Sequence, residues 1–154
     1  MTSTSNYEVR RAVAADAQVI AEIHRIESPA YWREAIEFCE PQVLVAVHDG
    51  KVVGFVGFDR SRDAGTPAVT GEIWAIHVVG AHLGNGAGLA LWDAAREGLI
   101  EEGCTTVTVW LPLANERTIR FHELAGFKRE MNSIKTVVRR GHRVEEIRLK
   151  RALE

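Results

Sequence analysis

One short segment with three glycines, Gly84-Asn85-Gly86-Ala87-Gly88, stands between a strand pattern and a helix pattern. The residues before it, 72–79, form a strongly apolar run that is typical of a buried strand. After it, apolar residues recur at steps of three and four, as on one face of a helix: Leu89, Trp92, Ala95 and Leu99. Because a second apolar strand pattern follows at Thr106–Leu111, the segment predicts two parallel strands joined by a crossover helix.

Before this crossover the sequence predicts a strand, two short helices and a hairpin. Tyr7–Val13 alternates polar and apolar residues, as in a half-buried strand. Asp16 is placed to cap a helix with apolar positions at Val19, Ile20, Ile23 and Ile26, and Ser28-Pro29 separates it from a second helix over residues 32–38. Two β-branched and aromatic runs then flank Asp49-Gly50, which indicates an antiparallel hairpin.

After the crossover the sequence predicts one more helix and a closing hairpin. Asn115 is placed to cap a helix whose apolar residues are Ile119, Phe121 and Leu124. Strand patterns at residues 133–138 and 144–149 flank Gly141. The total of about seven strands and four helices predicts a mixed α/β fold with a mostly antiparallel sheet and one parallel central pair.

Composition narrows the class of protein. The 154 residues suit one domain, expected over residues 7–154 after a disordered tail at 1–6. A net charge of -2 gives no general attraction to nucleic acid. Cys39 and Cys104 lie far apart without metal-ligand spacing, so both are expected to be buried and reduced, with no metal site. The start lacks a signal-peptide pattern and no apolar run approaches about 20 residues, so we expect a cytoplasmic protein that does not bind membranes.

The glycine segment predicts an anion site. Backbone N–H groups at a helix N-terminus favour a phosphate, and glycines let the chain approach it closely. The segment lacks the Lys-Ser/Thr ending of an ATP-binding loop and the Gly-x-Gly-x-x-Gly spacing of a dinucleotide fold. A tight strand-to-helix turn without a ligand is the alternative interpretation.

Two motifs in this chain resemble the GNAT N-acetyltransferases. Residues 76–88, Ile-His-Val-Val-Gly-Ala-His-Leu-Gly-Asn-Gly-Ala-Gly, are similar to the pyrophosphate-binding motif of that family. Residues 115–127, from Asn115 to Gly126-Phe127, resemble its second motif. The order of elements fits the GNAT plan over nearly the whole chain.

The resemblance implies a twisted sheet in which the two parallel central strands splay apart, and acetyl-coenzyme A as the co-substrate. The main chain of Ile76, His77 and Val78 would line its pantetheine arm, and Asn115 would contact the same part. The pyrophosphate would be held by the segment that begins at Leu83 and ends at Leu89: Leu83, Gly84, Asn85, Gly86, Ala87, Gly88 and Leu89. Leu83 departs from the Gln or Arg common in the family, which should weaken the site without abolishing it.

The resemblance also implies a reaction in which an amine attacks the acetyl thioester directly. His122 occupies the position of a tyrosine that protonates the departing thiolate in many members, so it is either the general acid or a packing residue. Glu72 matches an acidic position in similar proteins and is our candidate general base, with a solvated strand-end carboxylate as the alternative. His77 and His24 are weaker candidates.

The acceptor is expected to be the primary amine of a small molecule or a peptide. In the family the two early helices usually bind it, which makes Tyr31 and Trp32 candidate walls of its pocket. Many members form homodimers, so a homodimer is one expectation. A noncatalytic acyl-coenzyme A sensor with the same fold is the alternative function, favoured by the substitution at His122.

Overall fold

A computed structural model of the chain describes residues 7–153. The strands in this range are β1 (Glu8–Arg11), β2 (Gln42–His48), β3 (Lys51–Arg60), β4 (Thr70–Val78), β5 (Thr106–Pro112), β6 (Lys128–Arg139) and β7 (His142–Ala152). The α-helices are α1 (Ala17–His24), α2 (Pro29–Phe38), α3 (Ala87–Glu101) and α4 (Glu116–Leu124). The tail predicted at residues 1–6 lies outside the described residues.

The described strands form a sheet in the order β1-β2-β3-β4-β5-β7-β6. The pairs β1–β2, β2–β3, β5–β7 and β6–β7 are antiparallel. The central strands β4 and β5 are parallel and are connected through α3. The predicted fold class, a mixed α/β protein with a mostly antiparallel seven-stranded sheet and four helices, is confirmed.

The chain divides into two compact units. The first consists of residues 7–59 and 73–102 and contains α1, α2, α3 and strands β1–β3. The second consists of residues 60–72 and 103–153 and contains β5, α4, β6 and β7. Strand β4 belongs to both, because its first three residues lie in the second unit and the others in the first. The single domain over residues 7–154 stays a prediction.

In the first unit, α1 and α2 bury an apolar face against β2 and β3. The members of this core include Ile20, Trp32, Val45 and Phe55, all nearly or fully buried. Burying side chains of this size contributes about 1.5–3 kcal/mol each. Ser28-Pro29 separates the two helices as predicted, but α2 begins three residues earlier than the predicted residue 32, because Ser28 caps it by accepting the Tyr31 N–H at 3.1 Å.

Both predicted hairpins form with two-residue turns. Asp49 and Gly50 have φ angles of 51° and 75°, and Arg140 and Gly141 have φ angles of 52° and 80°. Positive φ at both turn residues matches the right-handed twist of the flanking strands. Strands β6 and β7 extend well beyond the runs predicted from sequence, because their many exposed charged residues conceal the strand period.

Five local predictions are wrong. The strand predicted at Tyr7–Val13 stops at Arg11 because a short 3-10 turn starts at Ala14. Asp16 makes no side-chain bond to α1; its carboxylate instead accepts the Val13 N–H and an Arg10 N–H, both at 2.8 Å.

The other three errors concern Ile26, Cys39 and Leu124, all of which are exposed. Ile26 lies beyond α1, which ends at His24, and it is exposed. Cys39 is exposed at the end of α2, where it adopts φ of 53°, whereas Cys104 is buried as predicted. In α4 the buried residues are Ile119 and His122. Of the apolar residues predicted for this helix, Ile119 is therefore buried, whereas Leu124 is 76% exposed.

None of the helices within residues 7–153 combines the length and the apolar character that a bilayer crossing requires. Within the same residues, no group of three or more His, Cys, Asp or Glu side chains is arranged to hold a metal ion.

Candidate active site

Strand β4 ends in a tight turn that leads into the N-terminus of α3. The Val79 N–H donates to the Val53 carbonyl oxygen at 2.8 Å and so ties the end of β4 to β3. A 3-10 turn, Gly80–His82, follows, and the chain enters α3 through φ angles of 81° at Gly84 and 99° at Gly86. Only glycine adopts such angles without strain, which explains the glycines that the sequence places here.

Among the residues that the structure describes, no side chain caps the N-terminus of α3. Gly86, the residue before the helix, makes no side-chain cap bond, and the first turn contains no acidic residue. The N–H groups of Ala87, Gly88 and Leu89 precede the helix hydrogen-bond pattern, and the positive end of the helix dipole adds to them. Residues 83–86 are exposed. This arrangement fits a phosphate or pyrophosphate group.

Leu83 has no donor in its side chain to offer such an anion. It is 42% exposed, and its N–H donates to the Gly80 carbonyl oxygen at 3.2 Å. The Leu83 side chain therefore cannot donate a hydrogen bond to an anion at this turn.

Three rings hold the turn before α3 in place. The Tyr7 hydroxyl lies 2.9 Å from Nδ1 of His82 in a hydrogen bond. The His48 ring packs against both, with centroids 5.4 Å from Tyr7 and 5.1 Å from His82. This contact cannot be predicted from the sequence, because the three residues are far apart along the chain.

β3 approaches β4 very closely beside residues 76–78. A Cβ added at Gly54 would lie 2.8 Å from the His77 carbonyl oxygen and 3.2 Å from side-chain atoms of Val78 and Leu91. Gly54 therefore permits the approach of the two backbones. A glycine inside a strand pattern is the sequence signal for this feature.

A cluster of aromatic and imidazole rings lies on the α1–α2 side of β4. The His77 ring stacks on Phe55, with centroids 5.9 Å apart and an interplanar angle of 18°. His24, the last residue of α1, packs edge-on against it at 4.8 Å. The ring centroids of Trp32 and His24 are 5.7 Å apart, and those of Tyr31 and Trp32 are 5.0 Å apart. His77 keeps part of its surface open to solvent, while the partial burial of its ring lowers its pKa.

The two residues predicted to wall the acceptor pocket differ in exposure. Trp32 is 2% exposed and belongs to the core of the first unit, whereas Tyr31 is half-buried. Of the pair, only Tyr31 presents substantial surface.

Glu72 is buried and bound to an arginine. It is 1% exposed; its Oε1 accepts the Arg62 backbone N–H at 2.9 Å, and its Oε2 accepts Nη2–H of the same residue at 2.7 Å. Both carboxylate oxygens are therefore engaged, and the ion pair anchors the loop between β3 and β4. Glu72 can be identified as a candidate from the sequence, but its partner Arg62 cannot, because a single arginine in a polar loop does not indicate an ion pair.

His122 is buried in α4. It is 1% exposed, its Nδ1 lies 2.9 Å from the Thr118 carbonyl oxygen, and its ring packs edge-on against Phe121 and Phe127. Burial lowers its pKa, although the Thr118 hydrogen bond opposes that shift. A neutral imidazole that donates from Nδ1 leaves Nε2 as an acceptor.

Asn115 caps α4, as predicted. Its Oδ1 accepts the Thr118 N–H at 3.2 Å. Its side chain is exposed, and its amide nitrogen can still donate to a ligand.

The predicted site residues fall into two groups. The first unit contains Ile76, His77 and Val78, the turn over residues 83–89, and Tyr31 and Trp32. The second unit contains Glu72, Asn115 and His122. His77 is the one predicted residue that belongs to both the β4 main chain and the ring cluster.

The sequence of this chain matches the model of a known protein family. The model described as the acetyltransferase (GNAT) family matches residues 8–127, more than half of the chain. The chain belongs to the GNAT acetyltransferase family. The resemblance inferred from the two motifs is confirmed.

A curated relative of this GNAT chain is the mycothiol acetyltransferase of Propionibacterium freudenreichii subsp. shermanii. The two are 32% identical over 97 residues, which are 62% of this chain. The match spans only 30% of the relative's length.

Solved structures share the fold across nearly the whole chain. yncA from Salmonella typhimurium, determined with its cofactor acetyl-CoA, has a TM-score of 0.79 and 22% identity, covering 97% of this chain and 95% of its own. An N-acetyltransferase from Staphylococcus aureus Mu50 has a TM-score of 0.80 and 21% identity, covering 97% and 100%. The ribosomal-protein-alanine N-acetyltransferase from Brucella melitensis has a TM-score of 0.82 and 19% identity, covering 95% and 99%. At these identities the likeness concerns the fold.

Proposed function

We propose that this GNAT chain transfers the acetyl group of acetyl-CoA to a primary amine of a small molecule or peptide. Family membership supports acetyl transfer, and the curated relative is named as an acetyltransferase. The observation that carries the proposal is the uncapped, acid-free N-terminus of α3, reached through two glycines at positive φ.

The turn at α3 is suited to the pyrophosphate of acetyl-CoA. The N–H groups of residues 84–89 would hold it, with the helix dipole adding about 0.3–1 kcal/mol. The main chain of Ile76, His77 and Val78 would line the pantetheine arm, and the amide nitrogen of Asn115 would contact it. When bound, the thioester supplies an electrophilic carbonyl carbon and a thiolate leaving group.

Direct transfer in a ternary complex requires the amine to be neutral. A lysine-type amine has a pKa near 10.4, so a group on the protein must accept its proton. Glu72 is poorly placed for this role, because Arg62 occupies both of its oxygens. Of the two roles considered for His122, its burial and its Thr118 bond favour packing over proton donation.

The proposal is tested by incubating the protein with acetyl-CoA and a panel of amines. The panel contains an aliphatic diamine, an amino sugar, a free amino acid and a peptide with a free N-terminus. We expect thiol release together with the mass gain of one acetyl group on one class of amine. Thiol release without an acetylated product identifies hydrolysis, and neither signal with saturating acetyl-CoA contradicts acetyl transfer to these classes.

A noncatalytic acyl-coenzyme A sensor is the second candidate. It is favoured by one observation: Glu72 and His122, the acid-base candidates from sequence, are both 1% exposed and hydrogen-bonded within the protein. This function predicts tight binding of acetyl-CoA and no thiol release with any amine in the panel.

A further inference from the structure

The site on β4 contains one proton acceptor that is better placed than Glu72. His77 is the penultimate residue of the strand, and its neighbours Ile76 and Val78 belong to the main-chain segment proposed to line the thioester arm. Its ring is open to solvent on part of its surface, whereas the Glu72 carboxylate is covered.

The ring of His77 is held in a fixed orientation. Phe55 stacks parallel to it from β3, at an interplanar angle of 18°, and His24 packs against it from the end of α1. A ring packed in this way loses little rotational freedom when it accepts a proton, and a fixed position is what general base catalysis requires.

We propose that the His77 imidazole is the general base that accepts the proton of the acceptor amine, directly or through one water molecule. This inference rests on the acetyl transfer proposed above. It reassigns the base from Glu72 and gives His77 two roles, with the main chain lining the co-substrate and the side chain serving the acceptor.

The proton and electron balance is simple. A C–N bond forms between the amine and the acetyl carbon, the C–S bond breaks, and sulfur leaves with the electron pair. His77 takes one proton from the amine nitrogen and passes it to solvent, and water protonates the thiolate. An acceptor that begins as an ammonium ion therefore releases one net proton.

The surroundings of His77 favour the neutral form of its imidazole. Partial burial lowers its pKa from the ordinary value of 6.5. The titratable groups of the ring cluster are His24 from α1 and, one ring further away, Tyr31 from α2, while β3 contributes the uncharged Phe55.

The test compares wild type with His77→Gln, which keeps a polar side chain but cannot serve as a base. His142→Gln is the matched control, because His142 is exposed at the β6–β7 turn. Thiol release from acetyl-CoA is followed against pH with two acceptors, water and a weakly basic arylamine, because neither titrates over the range used. Any acid limb then belongs to the protein.

We expect His77→Gln to lower kcat/KM by about 100-fold or more, the usual contribution of a general base. Wild type and His142→Gln should share an acid limb below pH 6.5, since protonated His77 cannot accept a proton. This limb should be absent from the residual activity of His77→Gln. A His77→Gln rate and acid limb equal to those of wild type would overturn the proposal.

A second measurement needs no turnover. The Cε1–H signal of His77, assigned through bond correlations to its backbone in isotope-labelled wild type, is titrated by NMR in the ligand-free protein, and its midpoint should lie below 6.5 and coincide with the acid limb. A His77 that is still protonated at neutral pH would overturn the proposal even if His77→Gln fails to fold. Calorimetry together with the thiol assay distinguishes a failure of the proposed function from a failure of the role of His77. Wild type that does not bind acetyl-CoA, or binds it without any thiol release, contradicts the proposed function. Active wild type with active His77→Gln contradicts only the role of His77.

Discussion

Replacing Gly54 with alanine should displace the end of β4. The added Cβ would lie 2.8 Å from the His77 carbonyl oxygen, a distance that requires the backbone to move, and 3.2 Å from atoms of both Val78 and Leu91. Gly57 lies in the same strand and is also buried, but an added Cβ there meets nothing closer than Pro41 Cγ at 3.4 Å. Gly57→Ala is therefore the matched control.

The two substitutions should change the free energy of unfolding in opposite directions. Both reduce the entropy of the unfolded chain, a gain of about 0.4–1 kcal/mol. At Gly54 the overpacking cost of about 1–3 kcal/mol exceeds this gain. We expect a net loss of roughly 1–2 kcal/mol for Gly54→Ala, which lowers the Tm by about 2–8 °C in a chain of this size.

Urea unfolding followed by circular dichroism measures both variants. Gly54→Ala should lower the midpoint with an unchanged m-value, and Gly57→Ala should leave it unchanged or raise it. A Gly54→Ala protein as stable as Gly57→Ala would refute the inference that β3 and β4 approach too closely here for a side chain.

Two further predictions concern α4. Because burial lowers the pKa of His122, wild type should lose stability as the pH falls below 6.5 toward the lower folded-state pKa. His122→Phe should remove that part of the pH dependence in urea unfolding. An identical pH dependence in the two proteins would contradict a buried neutral imidazole. Asn115→Ala should cost about 1 kcal/mol by removing the α4 cap, whereas Asn115→Ser keeps a cap and should cost little. Equal stability of the two Asn115 variants would show that the cap bond contributes nothing.

Much of the fold follows from local sequence signals. The Asp49-Gly50 turn and the Asn115 cap each have a short-range physical cause, and each lies where predicted. Ser28-Pro29 separates the two early helices as predicted, although α2 begins at Pro29 and not near Trp32. Asp16 was misassigned because a capping residue and a residue that binds the preceding chain look the same in sequence. Its partner Arg10 lies six residues earlier, on another element.

The glycine turn could be located from sequence, but the environment of each catalytic candidate could not. Glu72 and His122 were selected by position in a motif, while their occupied hydrogen-bond sites depend on Arg62 and Thr118. Likewise His77 and His24 are 53 residues apart in the sequence. Only the packing of α1 beside β4 brings their ring centroids to within 4.8 Å of each other.

The central claim is that the N-terminus of α3 binds the pyrophosphate of acetyl-CoA, and calorimetric titration of Gly86→Asp with acetyl-CoA tests it most directly. An added carboxylate about 5 Å from the anion should cost roughly 1–3 kcal/mol, or about 5- to 150-fold in Kd. Gly86→Asn has the same shape without the charge, and Gly141→Asp places the same charge at another open glycine with positive φ. We predict much weaker binding for Gly86→Asp than for either control. Equal affinity in all three variants, or no binding by wild type, would contradict the claim.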